Sequence, residues 1–269
     1  MMNFAQIPIL TTIRFHPDYT RVLDEARTQG YSVPLSDQRI KQNNAVVGWD
    51  NKGVWDIHDL IFTMATNGDR NFASLNLKNP TLFKATEVGS VTFTTNQGFT
   101  GNAIDSYLDT GWIPSVHGVN FTKDNASFGG KINSGSTSQS WTEWGCSTAS
   151  TTSGSFFLGR FSGQIGYRVN DGFTRQVAEA SPIGFWAVDR NGSGAGTKTV
   201  YKNGALFNTA GDNSVALPDC SFTIGCLNNG GTKQNFSGRQ ISFVYAGAHM
   251  TAQQYQDFYT IWNTYQTSL

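Results

Sequence analysis

Charge is what this sequence has least of. Asp, Glu, Lys and Arg make up 14% of its 269 residues and cancel to a formal net charge of zero. No basic run occurs, so a phosphate backbone finds no electrostatic footprint, and nucleic acid is excluded as a partner. No apolar run approaches the roughly 20 residues of a spanning helix, which argues against membrane insertion. The N-terminus, MMNFAQIPILTTIRFHPDYT, lacks a basic leader followed by an unbroken apolar stretch, because Pro8 interrupts its one apolar run. It is therefore not read as a secretory signal.

Cysteine is scarce too. Cys146, Cys220 and Cys226 are odd in number and lack CxxC spacing, which fits neither a disulfide framework nor a zinc site. Cys226 alternates with Phe222 and Ile224, as a buried thiol on a strand would. A reducing cytoplasm as the place of folding suits this usage. Nucleophilic hydrolysis has no visible basis either. The sequence has no G-x-S-x-G elbow, and its four histidines, His16, His58, His117 and His249, lie in unrelated contexts. His58 is expected half-exposed on a strand, and His249 at the surface beside a helix cap.

Glycine is abundant, with 29 residues, and Ser, Thr and Asn supply much of the remaining polarity, the profile of a many-turned β protein. The first third still reads as helical. Tyr19, Val22, Leu23 and Ala26 have the spacing of one helix face, with Gly30 as the stop, and a second helix starts near Ser36 as N-cap and ends near Gly48 or Gly53. In IHDLIFTMA, Leu60, Phe62 and Met64 then fall on one face at period two, a strand signal. Short strands follow at regular spacing: Ser90–Thr95, Ser106–Thr110, Ser155–Phe161, Ile183–Asp189, Lys198–Lys202, Ala205–Thr209, Phe222–Leu227 and Ile241–Ala246. Such spacing predicts a sandwich or jelly roll. TVYKNGALFNTA places Asn203-Gly204 between two alternating arms, the chemistry of a type I′ hairpin. Thr251 and Gln254 form a capping box, with Met250 and Tyr255 placed as a staple. The stripe Tyr255, Phe258, Tyr259, Trp262, Tyr265 marks the docking face of a terminal helix.

Several of these segments resemble the laminin G-like, concanavalin A-like jelly roll. SVTFTTNQGFTGNAIDSYLDTG is similar to its opening strands, GFWAVDR with KTVYKNGALFNT to its central hairpin, and FTIGCLNNGG with FSGRQISFVYAGAHMTAQQYQDFY to its closing strands and helix. This resemblance covers roughly Lys78 to Leu269. YSVPLSDQ, GVWDIHDLIFTMATNGDRNFASLNLKNPT and the closing FYTIWNTYQTSL extend it to a module of virion proteins from phages infecting Bacteroidetes. The resemblance implies a mainly β jelly-roll sandwich over residues 56–269, exposed on a virion and made in the host bacterial cytoplasm. It also implies a glycan-binding role.

Concanavalin A-like folds also host glucanases that carry E-x-D-x-x-E on one strand, with two carboxylates about 5 Å apart. The four glutamates here, Glu25, Glu87, Glu143 and Glu179, never approach that pattern. A non-enzymatic protein is therefore expected. DRNGSGAGTKTV aligns Asp189, Asn191 and Ser193 like the start of a calcium loop, but Val200 stands where a bidentate Glu belongs, leaving an ordinary turn as the alternative.

Glycan binding needs exposed aromatic faces and nearby amide or carboxyl groups. SQSWTEWGC offers Trp141, Glu143 and Trp144. As a strand, it puts Trp141 and Glu143 on one face and Trp144 on the other. As a loop, it displays both indoles, and core packing is the competing assignment. LNNGGTKQN adds Asn228, Asn229 and Gln234 as a second rim, or as a solvated hairpin. Trp186 is assigned to the core. The triplets at Asn120, Asn125, Asn191 and Asn235 are chance occurrences in an Asn- and Ser-rich chain.

Residues 1–55 are expected to form an arm and two short helices for attachment to other virion proteins, with a homo-oligomer, a trimeric fibre or a capsid decoration, as the assembled form. A free carbohydrate-binding module or adhesin is the alternative, and a glycoside hydrolase a more distant one.

Overall fold

A computed structural model describes residues 14–149, 152–159 and 163–269. Five helices occur among them: α1 (Pro17–Thr28), α2 (Ser36–Asn51), α3 (Arg70–Ala73), α4 (Pro114–His117) and α5 (Ala252–Thr267). The first nine strands are β1 (His58–Thr63), β2 (Thr86–Val88), β3 (Thr92–Thr94), β4 (Gly98–Thr100), β5 (Tyr107–Asp109), β6 (Asn125–Ser134), β7 (Trp141–Ser147), β8 (Gly154–Gly159) and β9 (Gln164–Asp171). The rest are β10 (Arg175–Ala178), β11 (Gly184–Asn191), β12 (Lys198–Lys202), β13 (Ala205–Ala210), β14 (Thr223–Ile224), β15 (Leu227–Asn229), β16 (Thr232–Gln234) and β17 (Gln240–Gly247).

The strands form two sheets packed face to face. One runs β13-β12-β11-β6-β17-β4-β3, with β1 also on β17, and the other β10-β9-β8-β7-β14-β5-β2. The hairpin β15–β16 joins the second sheet through β7, and that β7–β15 contact is parallel in an otherwise antiparallel sandwich. Trp144, Phe157, Trp186, Val188, Val244 and Ile224 fill the space between the sheets.

The central strands of the first sheet are buried on both faces, and their sequence shows why. On β11, Trp186 and Val188 point to the other sheet while Phe185 and Ala187 point outward into a second apolar cluster. On β17, Ile241, Val244 and Ala246 face inward, and Phe243 and Tyr245 outward. Near-continuous apolar runs are what a doubly covered strand requires. The cover is helical: Tyr19, Val22 and Leu23 of α1, Val46 and Trp49 of α2, and Tyr255, Phe258 and Trp262 of α5 share that outer cluster.

Residues on both sides of position 55, from α1 and α2 and from the sheet, share this outer cluster. A polar chain threads the same layer. Tyr19 Oη donates to Gln42 Oε1 (2.6 Å), Gln42 Nε2 to Tyr265 Oη (2.9 Å), and Tyr265 Oη to the Ala65 carbonyl (2.6 Å), linking three helices to the sheet. Of the arm expected over Met1–Gly30 on the apolar stretch NFAQIPILTTIRF, residues 1–13 lie outside the described residues.

Local chemistry set several elements as expected. The α5 capping box forms, Thr251 Oγ1 accepting from the Gln254 N–H and Gln254 Oε1 from the Thr251 N–H. Asn203 and Gly204 take φ +51° and +79°, both positive as a type I′ turn demands. Two expectations are corrected. Helix α2 begins at Ser36 with Leu35 as N-cap and no side-chain cap bond, so Ser36 does not cap it. His58 is 2% exposed, held between Tyr245 and Phe258 at ring distances of 5.0 and 4.9 Å, because α5 covers that end of β1. Among the described residues, no helix is long and apolar enough to cross a membrane.

Candidate functional site

The residues expected to bind glycan are brought to one region, but mostly with their faces turned inward. β15 pairs with β7, setting Asn228 opposite Cys146 and Asn229 opposite Ser147, and the Thr142 N–H donates to the Asn235 carbonyl (2.9 Å). SQSWTEWGC and LNNGGTKQN are thus neighbours. Trp144, however, is wholly buried and stacks on Phe157 with ring centroids 5.4 Å apart. Glu143 is equally buried, bonded to Arg239 Nη1 and to the Ser237 hydroxyl. Burial pushes its carboxyl up while the guanidinium pulls it down. Asn228 is buried too, its amide donating to the Ser221 carbonyl (2.8 Å) and its Oδ1 accepting from the Gly231 N–H.

Trp141, Asn229 and Gln234 are half-buried, and the Arg239 guanidinium lies 4.8 Å over the Trp141 ring. The double-Trp platform with a central carboxylate is therefore not presented at the surface. Core packing of β7 accounts for Trp144 and Glu143.

The calcium loop is also corrected. Asp189 is buried and turned toward α5, accepting from Tyr255 Oη (2.6 Å) and meeting His249 Nδ1 at 2.8 Å. Asn191 and Ser193 are exposed on the far side of the turn. His249 is accordingly a hydrogen-bonding partner of a buried carboxylate, in addition to standing beside the cap. Among the described residues, no group of three or more His, Cys, Asp or Glu is placed to hold a metal.

A cleft that the sequence reading missed opens at one end of the sandwich. It has a volume of about 270 Å³ and lies between the loop before β2 and the segment around α4. Phe83 and His117 form its aromatic wall, ring centroids 4.8 Å apart. Phe83 holds φ +60°, a left-handed conformation that costs a bulky residue strain of order 1–2 kcal/mol. Trp112 also lines the cleft. It is fully buried against Phe121 and Phe222, and its indole N–H has no partner among the described residues.

Polar groups converge around this wall. Asp59 accepts the N–H groups of Val119 (3.2 Å), Asn120 (3.0 Å) and Phe121 (2.9 Å), which fixes the loop after α4. The Asn120 amide donates to the Asp56 carbonyl (3.1 Å). Lys78 sits 3.3 Å from the Asp56 carboxylate and 4.2 Å over the Trp55 ring, and burial draws its ammonium below the usual lysine range. His117 Nδ1 accepts from the Ile113 N–H (2.9 Å), which leaves the proton of a neutral ring on Nε2.

Phe83 also borders an open hollow of about 560 Å³ reaching Asp109 and Ser221. Leu82, Val116 and Val119, which are 51%, 69% and 80% exposed, belong to the segments bordering the cleft. Exposed apolar groups around a polar hollow are the mark of a binding surface. The arrangement suits an amphipathic ligand with one apolar face and several hydrogen-bonding groups.

No family model matches the chain, and no curated protein matches it. Solved structures do. The receptor binding domain of botulinum neurotoxin C/D mosaic serotype is 13% identical with a TM-score of 0.51, over 76% of this chain and 51% of that one. A structure of botulinum neurotoxin type C, whose cell entry is described as dependent upon interaction with two ganglioside molecules, gives the same figures. A mutant of Trypanosoma rangeli sialidase displaying trans-sialidase activity is 11% identical with a TM-score of 0.50, over 83% of this chain and 39% of that one. The likeness is one of fold: a jelly-roll β-sandwich. This jelly roll spans about half the length of the neurotoxin domains it matches and a smaller share of the sialidase.

Proposed function

We propose that this jelly roll is a non-catalytic, lectin-like protein of a phage virion surface that binds host-surface glycans through the cleft at Phe83. The observation that carries the binding reading is the cleft itself. An aromatic wall of Phe83 and His117, backed by the buried Trp112, and the side chains of Asn79 and Asn120 line one hollow. A sugar ring has the complementary chemistry, with C–H groups on one face and hydroxyls around its edge. Support also comes from the ganglioside interaction described for one neurotoxin of similar fold, although fold alone does not fix function. The virion placement, with a homo-oligomer held to its neighbours through residues ahead of α1, rests on the resemblance to phage virion modules.

A glycan array tests the binding reading. The wild-type chain and Trp141→Ala should bind the same glycans, and Phe83→Ala should lose them. Unchanged binding by Phe83→Ala would remove the cleft from the reading, and absence of binding by the wild type would remove the glycan role. The virion placement is tested by copy number in purified particles. A protein that never copurifies with virions is the free adhesin instead. Deleting residues 1–13 should leave a folded jelly roll that no longer joins the particle.

A further inference from the structure

Two of the three thiols share one place in the core. Cys146, next to the end of β7, belongs to the cluster between the sheets with Trp144, and Cys220 enters the same apolar cluster from the segment ahead of β14. Cys220 Sγ lies 3.1 Å from the Ser147 carbonyl and 3.4 Å from the Asn228 carbonyl. Ser147 follows Cys146 in the chain, and Asn228 is the residue registered against Cys146 across the β7–β15 pairing. The Cys220 sulfur is therefore held at the level of Cys146, beside the paired backbones of β7 and β15. Cys226 stands apart. It lies outside that cluster, fully buried, with its thiol pushed up to about 12 by burial.

We propose that Cys146 and Cys220 are an oxidation site that closes to a disulfide when the protein meets peroxide. The roles of the two sulfurs differ. Cys220 is 9% exposed while Cys146 is 0%, so an oxidant reaches Cys220 first. Cys146 beside it draws the Cys220 thiol down to about 6, and the Cys220 S–H donates to the Ser147 and Asn228 carbonyls until the proton leaves. Burial raises Cys146, which keeps its proton until the second step.

In the first step the Cys220 thiolate attacks one peroxide oxygen. An S–O bond forms, the O–O bond breaks, and the departing hydroxide takes a proton to become water, leaving a sulfenic acid. In the second step Cys146 loses its proton and its sulfur attacks the Cys220 sulfur. The S–S bond forms, the S–O bond breaks and a second water leaves. Two thiols and one hydrogen peroxide thus give one disulfide and two waters.

The bond would clamp a wall of the candidate cleft. The segment Pro218–Phe222 already holds Ser115 of α4 through the Pro218 carbonyl (3.1 Å), and the Phe222 N–H donates to the Trp112 carbonyl (2.8 Å). Ser221 lines the hollow that Phe83 borders.

The test is peroxide treatment of the full chain, followed by alkylation and mass spectrometry without reductant. The expected product has lost two of its three thiols, contains one Cys146–Cys220 link, and returns to three thiols with dithiothreitol. Its melting temperature should rise by roughly 5 °C or more, since the link closes a long loop. Cys226→Ser should oxidise as the wild type does, and Cys220→Ser should form no link and show no rise. Conversion of Cys220 to sulfinic acid with Cys146 still free would overturn the proposal, and so would a dominant link through Cys226. The wild type and Cys226→Ser decide the matter even if Cys220→Ser does not fold.

Discussion

Glu143 and Arg239 form an ion pair with both side chains at 0% exposure, tying β7 to the turn ahead of β17. Arg239 is further satisfied by the carbonyls of Ser136 (2.7 Å), Gln139 (2.9 Å) and Gly159 (3.2 Å), and Glu143 by the Ser237 hydroxyl (2.7 Å). Such a pair is costly to break, because removing one partner strands a charge out of water. Glu143→Gln should therefore destabilise the chain by about 3–5 kcal/mol in urea unfolding. Glycan binding by the remaining folded fraction should be unchanged. A loss under about 1 kcal/mol would mean that water reaches the pair.

At Phe83 the backbone and the ring make opposite demands, and a substitution can separate them. Asparagine tolerates the left-handed conformation that φ +60° imposes, whereas valine does not. Phe83→Asn should unfold within about 1 kcal/mol of the wild type yet bind a glycan found on the array about tenfold more weakly. Phe83→Val should lose stability as well. Equal affinity of Phe83→Asn and wild type in titration calorimetry would show that the ring does not touch the ligand.

What could be read from the sequence was the part written in neighbouring residues. The Asn203-Gly204 turn, the Thr251–Gln254 capping box and the amphipathic α1 each depend on a few consecutive positions. Their partners do not appear in any such stretch, which is why α1 and α2 were assigned to an attachment segment and not to the sheet they cover. Strand β6 was missed for a related reason. Its Gly129 and Gly130 are needed because a Cβ there would lie 2.1 and 2.3 Å from the carbonyl oxygens of Trp186 and Phe243, and glycine erases the alternation that marks a strand. The cleft was invisible because Phe83, Trp112 and His117 carry no shared motif and meet only where the loop ahead of β2 reaches the segment from β5 through α4. Trp141 and Trp144 carried a local signal, but burial is decided by β8 and β15, which the stretch itself does not reveal.

The hairpin turn does more than reverse the chain. A Cβ added at Gly204 would lie 3.1 Å from Gln256 Cα and from Tyr259 Cβ, so the turn packs directly under α5. With φ at +79° as well, Gly204→Ala should cost about 1–2 kcal/mol and loosen the start of α5. Hydrogen exchange would show faster opening of Tyr255 to Tyr259 than in the wild type. Exchange at the wild-type rate would mean that the helix does not depend on this contact.

His58 gives the fold a specific response to acid. Its Nδ1 lies 2.5 Å from the Val54 carbonyl and so carries the ring proton, while Nε2 is buried without a partner. Burial between Tyr245 and Phe258 draws its pKa down to about 3. The positive charge of Lys78 adds to the fall, and the Val54 bond opposes it. In the unfolded chain the same histidine titrates near 6.5. Between these values the unfolded state binds a proton that the folded state refuses, so stability falls as pH falls from about 6.5 toward 3 and is level above that window. The slope from this one residue is about 1.4 kcal/mol per pH unit. Carboxylates held low in the fold, such as Asp212, add their losses only in the acid range below about pH 5. His58→Phe keeps an aromatic ring between Tyr245 and Phe258 but has no proton to take up. Urea midpoints between pH 5 and 6.5 should therefore fall less steeply with acid for His58→Phe than for the wild type, by that single-proton slope. Parallel curves would mean that His58 is protonated in the folded chain.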